Sequence, residues 1–178
     1  MHKDFEKIDK KSITNLKASK KLINDICRLK DKFWKFGLPS QKRWFKKNVK
    51  EEDVHNCIFV NKNLAGYTLI RKRKVLYKEK TISYYLIDTV TVIKNLRGHQ
   101  IGKMIMELNT SLSKKNKKIS FLLCKKKLID FYRKCGWKKL KKRKFVVDGK
   151  KTRLFGMVYN PNKLKIEKTK SHLNFTTH

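Results

Sequence analysis

Two prolines, seven glycines and fourteen acidic residues are few for a chain of 178. The shortage of proline and glycine excludes a collagen-like or low-complexity chain. Only four cysteines occur, at 27, 57, 124 and 135, and none form a C-x-x-C pair. That spacing offers neither a zinc site nor a disulfide framework, so no metal is expected. Cys27 and Cys57 lie among apolar neighbours and read as small core residues. No apolar run approaches the ~18 residues of a membrane span. The opening Met1-His2-Lys3-Asp4-Phe5 lacks the apolar stretch of a signal peptide. The expected location is cytoplasmic, with reduced thiols.

The shortage of acids leaves 48 basic residues against 14 and a net charge of +34. Such a field attracts nucleic acid or any phosphorylated ligand. Only eight of the basic residues are arginine, the side chain better suited to bidentate phosphate or base recognition. The lysine, asparagine and isoleucine excess also matches AT-rich codon usage, so nucleic acid is an available partner but not the favoured one. What is present is ordinary: 39% hydrophobic and 11% aromatic residues, enough for one folded domain. We place that domain at 1–162 and a polar, mobile tail at 163–178.

Periodicity orders the elements. Ile23, Ile26, Cys27 and Trp34 share one helical face within a helix expected over Ile13–Phe33. Gly37-Leu38-Pro39-Ser40 breaks it, and Ser40 is the expected cap of a second helix carrying Trp44 and Phe45. Residues 55–76 read as a hairpin turning at Asn61-Lys62-Asn63, and Ile82–Ile93 as a central strand. Ile101, Met104, Ile105, Leu108 and Leu112 form an amphipathic helix. Ile119–Cys124 is a short strand, and Leu128, Phe131, Tyr132 and Cys135 mark a short helix ended by Gly136. Trp137 opens a strand, Asp148-Gly149 is a hairpin turn, and Leu154–Tyr159 is the last strand. Asn160-Pro161-Asn162 ends the fold. The order gives a mixed α+β class.

The informative stretch joins the central strand to the Ile101 helix. Asn95-Leu96-Arg97-Gly98-His99-Gln100-Ile101-Gly102 carries glycines into a helix N-terminus. Unpaired amides and the helix dipole there suit a pyrophosphate, with Arg97 and Lys103 adding charge. An ordinary strand–helix turn explains the same residues. The spacing is neither a Walker A loop nor G-x-G-x-x-G.

Val90-Thr91-Val92 followed by Leu96-Arg97-Gly98-His99-Gln100-Ile101-Gly102-Lys103 resembles the acyl-CoA motif of the GNAT superfamily of N-acetyltransferases. Phe131-Tyr132-Arg133-Lys134-Cys135-Gly136-Trp137 resembles that family's second motif. The resemblance spans about Cys57 to Trp137. It implies a central, mostly antiparallel twisted sheet with one parallel βαβ step, flanked by helices. It departs from the family at Gln100, where relatives carry glycine, so φ at 100 is expected to be negative. It departs again at Lys125, where many relatives carry asparagine.

The resemblance implies acetyl-CoA, or another acyl-CoA, as cofactor. The backbone of Val90, Thr91 and Val92 would hold the pantetheine arm. The amides of Arg97, Gly98, His99, Gln100, Ile101, Gly102 and Lys103 would hold the pyrophosphate. A primary amine would attack the thioester directly, and Tyr132 matches the family's general acid. By its spacing Tyr132 is equally a core residue. Asp88, a carboxylate in an apolar strand, is either the base or amine-orienting group or a structural hydrogen-bonding residue. His55 is a further candidate for the base, and the acidic Glu51-Glu52-Asp53 before it is either a solvated loop or a cluster drawing a cationic amine to the site. The acceptor is an amino sugar, an aminoglycoside-like molecule or a protein amine. The alternative is a basic RNA- or ribosome-binding protein without turnover, with Lys138–Lys144 as its contact surface.

Overall fold

The computed structural model describes residues 7–77, 80–141, 145–162 and 173–177. They form two compact units. One runs up to Arg71 and adds Asp88–Leu108. The other holds Lys72–Ile87 and the residues from Asn109 onward.

The first unit begins with strand β1 (Ile8–Thr14), then helices α1 (Lys20–Asp31) and α2 (Leu38–Asn48). Strands β2 (Val54–Val60) and β3 (Asn63–Tyr77) follow, then β4 (Lys80–Val92) and helix α3 (Ile101–Lys115). Strands β3 and β4 and helix α3 each belong partly to both units. β1 pairs antiparallel with β2 from Ile8↔Val60 to Thr14↔Val54, and β2 with β3 through the expected hairpin.

The helix expected from Ile13 starts later. Ile13 and Thr14 complete β1, and Ser19 Oγ accepts from Leu22 N at 3.2 Å, fixing the N-terminus of α1 at Lys20. Ser40 is not a cap either. Gly37 takes that place, with Pro39 in the first turn, and Ser40 Oγ accepts from Arg43 Nη2 at 3.0 Å.

Alternation along β2 sorts the core. Cys57 packs with Leu22, Ile26, Cys27, Leu29 and Phe45 of α1 and α2, and Ile58 with Leu96, Ile101 and Ile105. At Gly66 a Cβ would lie 2.6 Å from Ile105 Cδ1 and 2.9 Å from Ile101 Cγ2. Only bare backbone lets α3 sit this close to β3.

The second unit adds β5 (Ser120–Cys124), α4 (Ile129–Lys134), β6 (Lys138–Lys139), β7 (Phe145–Val147), β8 (Phe155–Tyr159) and β9 (Leu173–Phe175). The strand order is β1-β2-β3-β4-β5-β8-β6, with β9 pairing β3 and β7. β4 is thus central, and β4–α3–β5 is the parallel step, Tyr85↔Ser120 and Leu86↔Phe121. The expected mixed α+β class holds.

The expected turn at Asp148-Gly149 forms, at φ 48 and 74, and closes an antiparallel Val147↔Lys150 bridge. Beyond it, β7 pairs in parallel with β9 rather than with β8, and it is β6 that pairs with β8. Nor does the fold stop at Asn162. Leu173 and Phe175 are buried, Phe175 stacks on Phe121 at 3.8 Å, and Tyr84 Oη donates to Thr176 O at 2.6 Å. Alternating apolar residues in Leu173-Asn174-Phe175 give a strand one buried face. The rest of the expected tail, 163–172 and 178, lies outside the described residues, as do 142–144 of the basic run. Among the described residues no helix is long and apolar enough to cross a membrane.

Candidate functional site

Pairing with β5 covers Tyr85 and Leu86 of β4. Three residues further on, β4 leaves regular geometry. Thr89 has φ +57, a left-handed conformation that a β-branched residue rarely takes. The neighbouring peptide is held from the side: Thr68 Oγ1 donates to Asp88 O at 3.1 Å, and Thr89 Oγ1 to Asp88 Oδ1 at 3.1 Å. Beyond the kink, Thr91 is buried with its hydroxyl on Tyr67 O at 3.5 Å. Val90 and Val92 pack on the Ile58–Ile101 cluster.

The turn follows directly. Leu96 is buried and pins a 3-10 turn over Lys94–Leu96. Arg97 N donates to Lys94 O at 3.3 Å. The Arg97 amide is therefore engaged, and the cradle begins at Gly98. Gly98 has φ +87 and Gln100 has φ +62. Such alternation of left-handed residues turns successive amides toward one concavity. The first bond of the α3 ladder runs from Met104 N to Gln100 O at 3.0 Å, so the amides of Ile101, Gly102 and Lys103 precede it. No acid sits in the first turn of α3 to oppose an anion at the positive end of its dipole. Ile101 is buried and anchors the helix, His99 and Gly102 are half-buried, and Lys103 is exposed. Arg97 is exposed, its Nε donating to Val92 O at 3.3 Å and its Cζ 5.1 Å from the Phe33 ring centre.

The expected negative φ at Gln100 is wrong. A left-handed residue is needed to turn the chain into α3, and here a non-glycine takes it at a cost of roughly 1–2 kcal/mol. Its side chain stays exposed. The concave amides, the helix dipole and the two flanking cations together suit a pyrophosphate, so the residues fit the phosphate end of CoA.

Asp88 is paired. Its Oδ2 lies 3.3 Å from Arg71 Nη1, with the carboxylate side chain 31% exposed and the arginine 6%. Tyr132, on the second unit, is buried near Trp137, with Phe131 edge-on at 5.1 Å. Burial, then the nearby Cys124 and Cys135 thiols, holds its phenol well above the usual tyrosine range. The proton therefore stays on at neutral pH.

The model of the acetyltransferase (GNAT) family matches residues 21–137. The chain belongs to the GNAT acetyltransferase family. Solved structures carry the same fold. Escherichia coli ElaA superposes with a TM-score of 0.63 at 17% identity, covering 86% of this chain and 100% of that one. The E. coli GNAT N-acetyltransferase YhbS, in complex with CoA, gives 0.68 at 9%, covering 95% and 91%. An aminoglycoside 6'-N-acetyltransferase complexed with coenzyme A gives 0.59 at 12%, covering 84% and 96%. No curated protein matches the sequence significantly.

In this GNAT chain the remaining candidates are split, with His55 and Asp53 buried and Glu51 and Glu52 exposed. His55 is fully buried between Phe45 and Tyr67, with ring centres at 5.5 and 5.8 Å. Its Nε2 lies 3.1 Å from Asn15 Oδ1 and its Nδ1 2.9 Å from Tyr67 Oη. A carbonyl oxygen only accepts, so Nε2 carries the proton and Nδ1 accepts from the tyrosine. Asp53 is buried, its Oδ2 accepting from Lys50 N at 3.0 Å, while Glu51 and Glu52 are exposed. The Glu51–Asp53 run is thus not one solvated acidic surface.

Sequence reasoning missed Arg71 and Lys30, both nearly fully buried. Lys30 stands seven residues after Ile23, on the same stripe as Ile26, Cys27 and Trp34. A lysine on an apolar stripe was a readable signal, hidden by the basic background.

Two outcomes follow from these groups. Gln100→Gly removes the left-handed penalty but frees the unfolded chain, for a net gain of about 0.5–1 kcal/mol. Urea unfolding should show a raised midpoint and CoA affinity should persist; a lower midpoint would contradict the strain at 100. Burial pushes His55 down from 6.5 to about 4. The unfolded chain therefore binds the extra proton first on acidification. Stability is full above pH ~6.5 and falls toward pH 4, by roughly 3 kcal/mol over the whole window. His55→Gln should flatten that part of the pH–stability curve; an unchanged slope assigns the loss to other groups.

Proposed function

We propose that this protein transfers an acyl group, acetyl in the first instance, from an acyl-CoA to a primary amine. The observation that carries the reading is the left-handed pair Gly98 and Gln100 opening α3 directly behind the kinked end of β4. When bound, the thioester supplies an activated acyl carbon.

The chain's own groups supply the rest. Amides from Gly98 to Lys103 bind the pyrophosphate, with Arg97 and Lys103 adding positive charge. The backbone of Val90 to Val92 orients the pantetheine arm and polarises the acyl carbonyl, so that alignment and electrostatics lower the barrier. The amine nitrogen forms its bond to the acyl carbon as the carbon–sulfur bond breaks. Tyr132 Oη gives its proton to the departing sulfur. Its raised pKa keeps the phenol protonated at neutral pH but makes it a weak acid, and the phenolate it leaves regains a proton from the water that took the amine's.

Asp88 orients the amine rather than accepting its proton. Both carboxylate oxygens are already engaged, Oδ2 by Arg71 Nη1 and Oδ1 by Thr89 Oγ1, and water takes the proton. Family membership and the fold it shares with CoA-bound structures support this reading.

The test is release of free thiol from acetyl-CoA over a panel of primary amines, with Tyr132→Phe beside the native chain. Loss of the acid should lower kcat about 100-fold or more, with CoA binding retained. Unchanged kcat would remove Tyr132 from the mechanism, and no turnover with any acyl-CoA and amine would overturn the reading.

A further inference from the structure

The first unit carries more buried positive charge than the adjoining carboxylate neutralises. Lys30 and Arg71 are 6% and 5% exposed. Burial, the largest influence on Lys30, disfavours its charge and holds it below the usual lysine value; Asp88, then Cys27, favour the charge and Arg71 opposes it. Two nearly buried cations therefore share one carboxylate. The Trp44 ring takes part of the excess, with Lys30 Nζ 3.6 Å from its centre and Arg71 Cζ 5.8 Å.

Arg71 is also incompletely satisfied. Nη1 donates to Asp88 Oδ2 at 3.3 Å and Nη2 to Asn48 O at 3.1 Å, at the end of α2. Its Nε is buried with no hydrogen-bond partner. An uncompensated cation and an orphan donor are both costly in a dry environment. One anionic oxygen would answer both, and a guanidinium and an ammonium that share the Trp44 ring are suited to receive it.

Asp88 belongs to this cluster and to the strand that reaches Val90 two residues later.

Resting on the acyl-transfer reading, we propose that the acceptor amine carries an oxyanion, a carboxylate or a phosphate, held by Lys30 Nζ and Arg71 Nε beside Trp44. Such an acceptor is a short amino acid or an aminoalkyl phosphate. A polycationic amine would meet two buried cations instead.

Matched amine pairs decide this. Ornithine against putrescine tests the carboxylate, and phosphoethanolamine against ethanolamine tests the phosphate. Affinity is read by tryptophan fluorescence on the full chain with free CoA present, and turnover by thiol release. The anionic member of at least one pair should bind about tenfold tighter or more, the size of one charged hydrogen bond. Which pair discriminates names the oxyanion. Lys30→Met keeps the apolar stem against Trp44 and should shrink the preference toward one. Arg71→Lys keeps a charge for Asp88 but loses Nε, and should shrink it too. Equal or tighter binding of the members without an oxyanion, or a preference untouched in both variants, would overturn the inference. CoA binding, read by thermal shift, separates the two failures. A shift with CoA but no anion preference sinks this inference alone. No shift with CoA sinks the acyl-transfer reading, and the fluorescence preference then decides the anion site by itself.

Discussion

The pairing of Arg71 with Asp88 fixes the point at which β4 stops behaving as a regular strand. Asp88 offers its carboxylate to Arg71, its carbonyl to the Thr68 hydroxyl and its other carboxylate oxygen to Thr89. With all three satisfied, Thr89 is held in a left-handed conformation it would not adopt alone. The same guanidinium bonds the last carbonyl of α2, where a cation is favoured by the helix dipole. One side chain thus ties β3, β4 and α2 together. The direction of Val90–Val92, and the entry of the chain into the Gly98–Gln100 turn, follow from that anchor.

Four non-glycine residues of the first unit stand in the left-handed region: Asn61 and Lys62 in the β2–β3 turn, Thr89 just before the proposed thioester contacts, and Gln100 within the proposed phosphate turn. Each costs on the order of 1–3 kcal/mol and persists only because its surroundings over-determine it. Buried Leu96 and Ile101 hold the turn, and bare Gly66 lets α3 seat behind it. The overall charge of +34 says less. Among the described residues the buried basic side chains are Lys30, Arg71 and Arg73. The cations that matter to the site are told apart by burial, not by number.

Much of this was legible in the residues. The hairpin over β2 and β3, the central strand, the turn and α3 carry strong periodic or turn signals, and two motifs pointed to the family. What stayed hidden depends on contacts distant in sequence. Ile13 is helix-compatible until β2 supplies His55 as its partner. Leu173-Asn174-Phe175 is too short to be recognised as a strand before Val75 and Phe145 give it neighbours. The φ of Gln100 follows from the handedness of the turn rather than from the residue type, so glutamine misled. Asp88 was readable as an anomaly, but its partner seventeen residues earlier was not.

Hydrogen exchange with and without free CoA tests the central claim, that the amides behind the β4 kink form the cofactor cradle. The account predicts slowed exchange confined to residues 90–92 and 98–103 when CoA binds. Protection located elsewhere, or none in those two segments at saturating CoA, would contradict it.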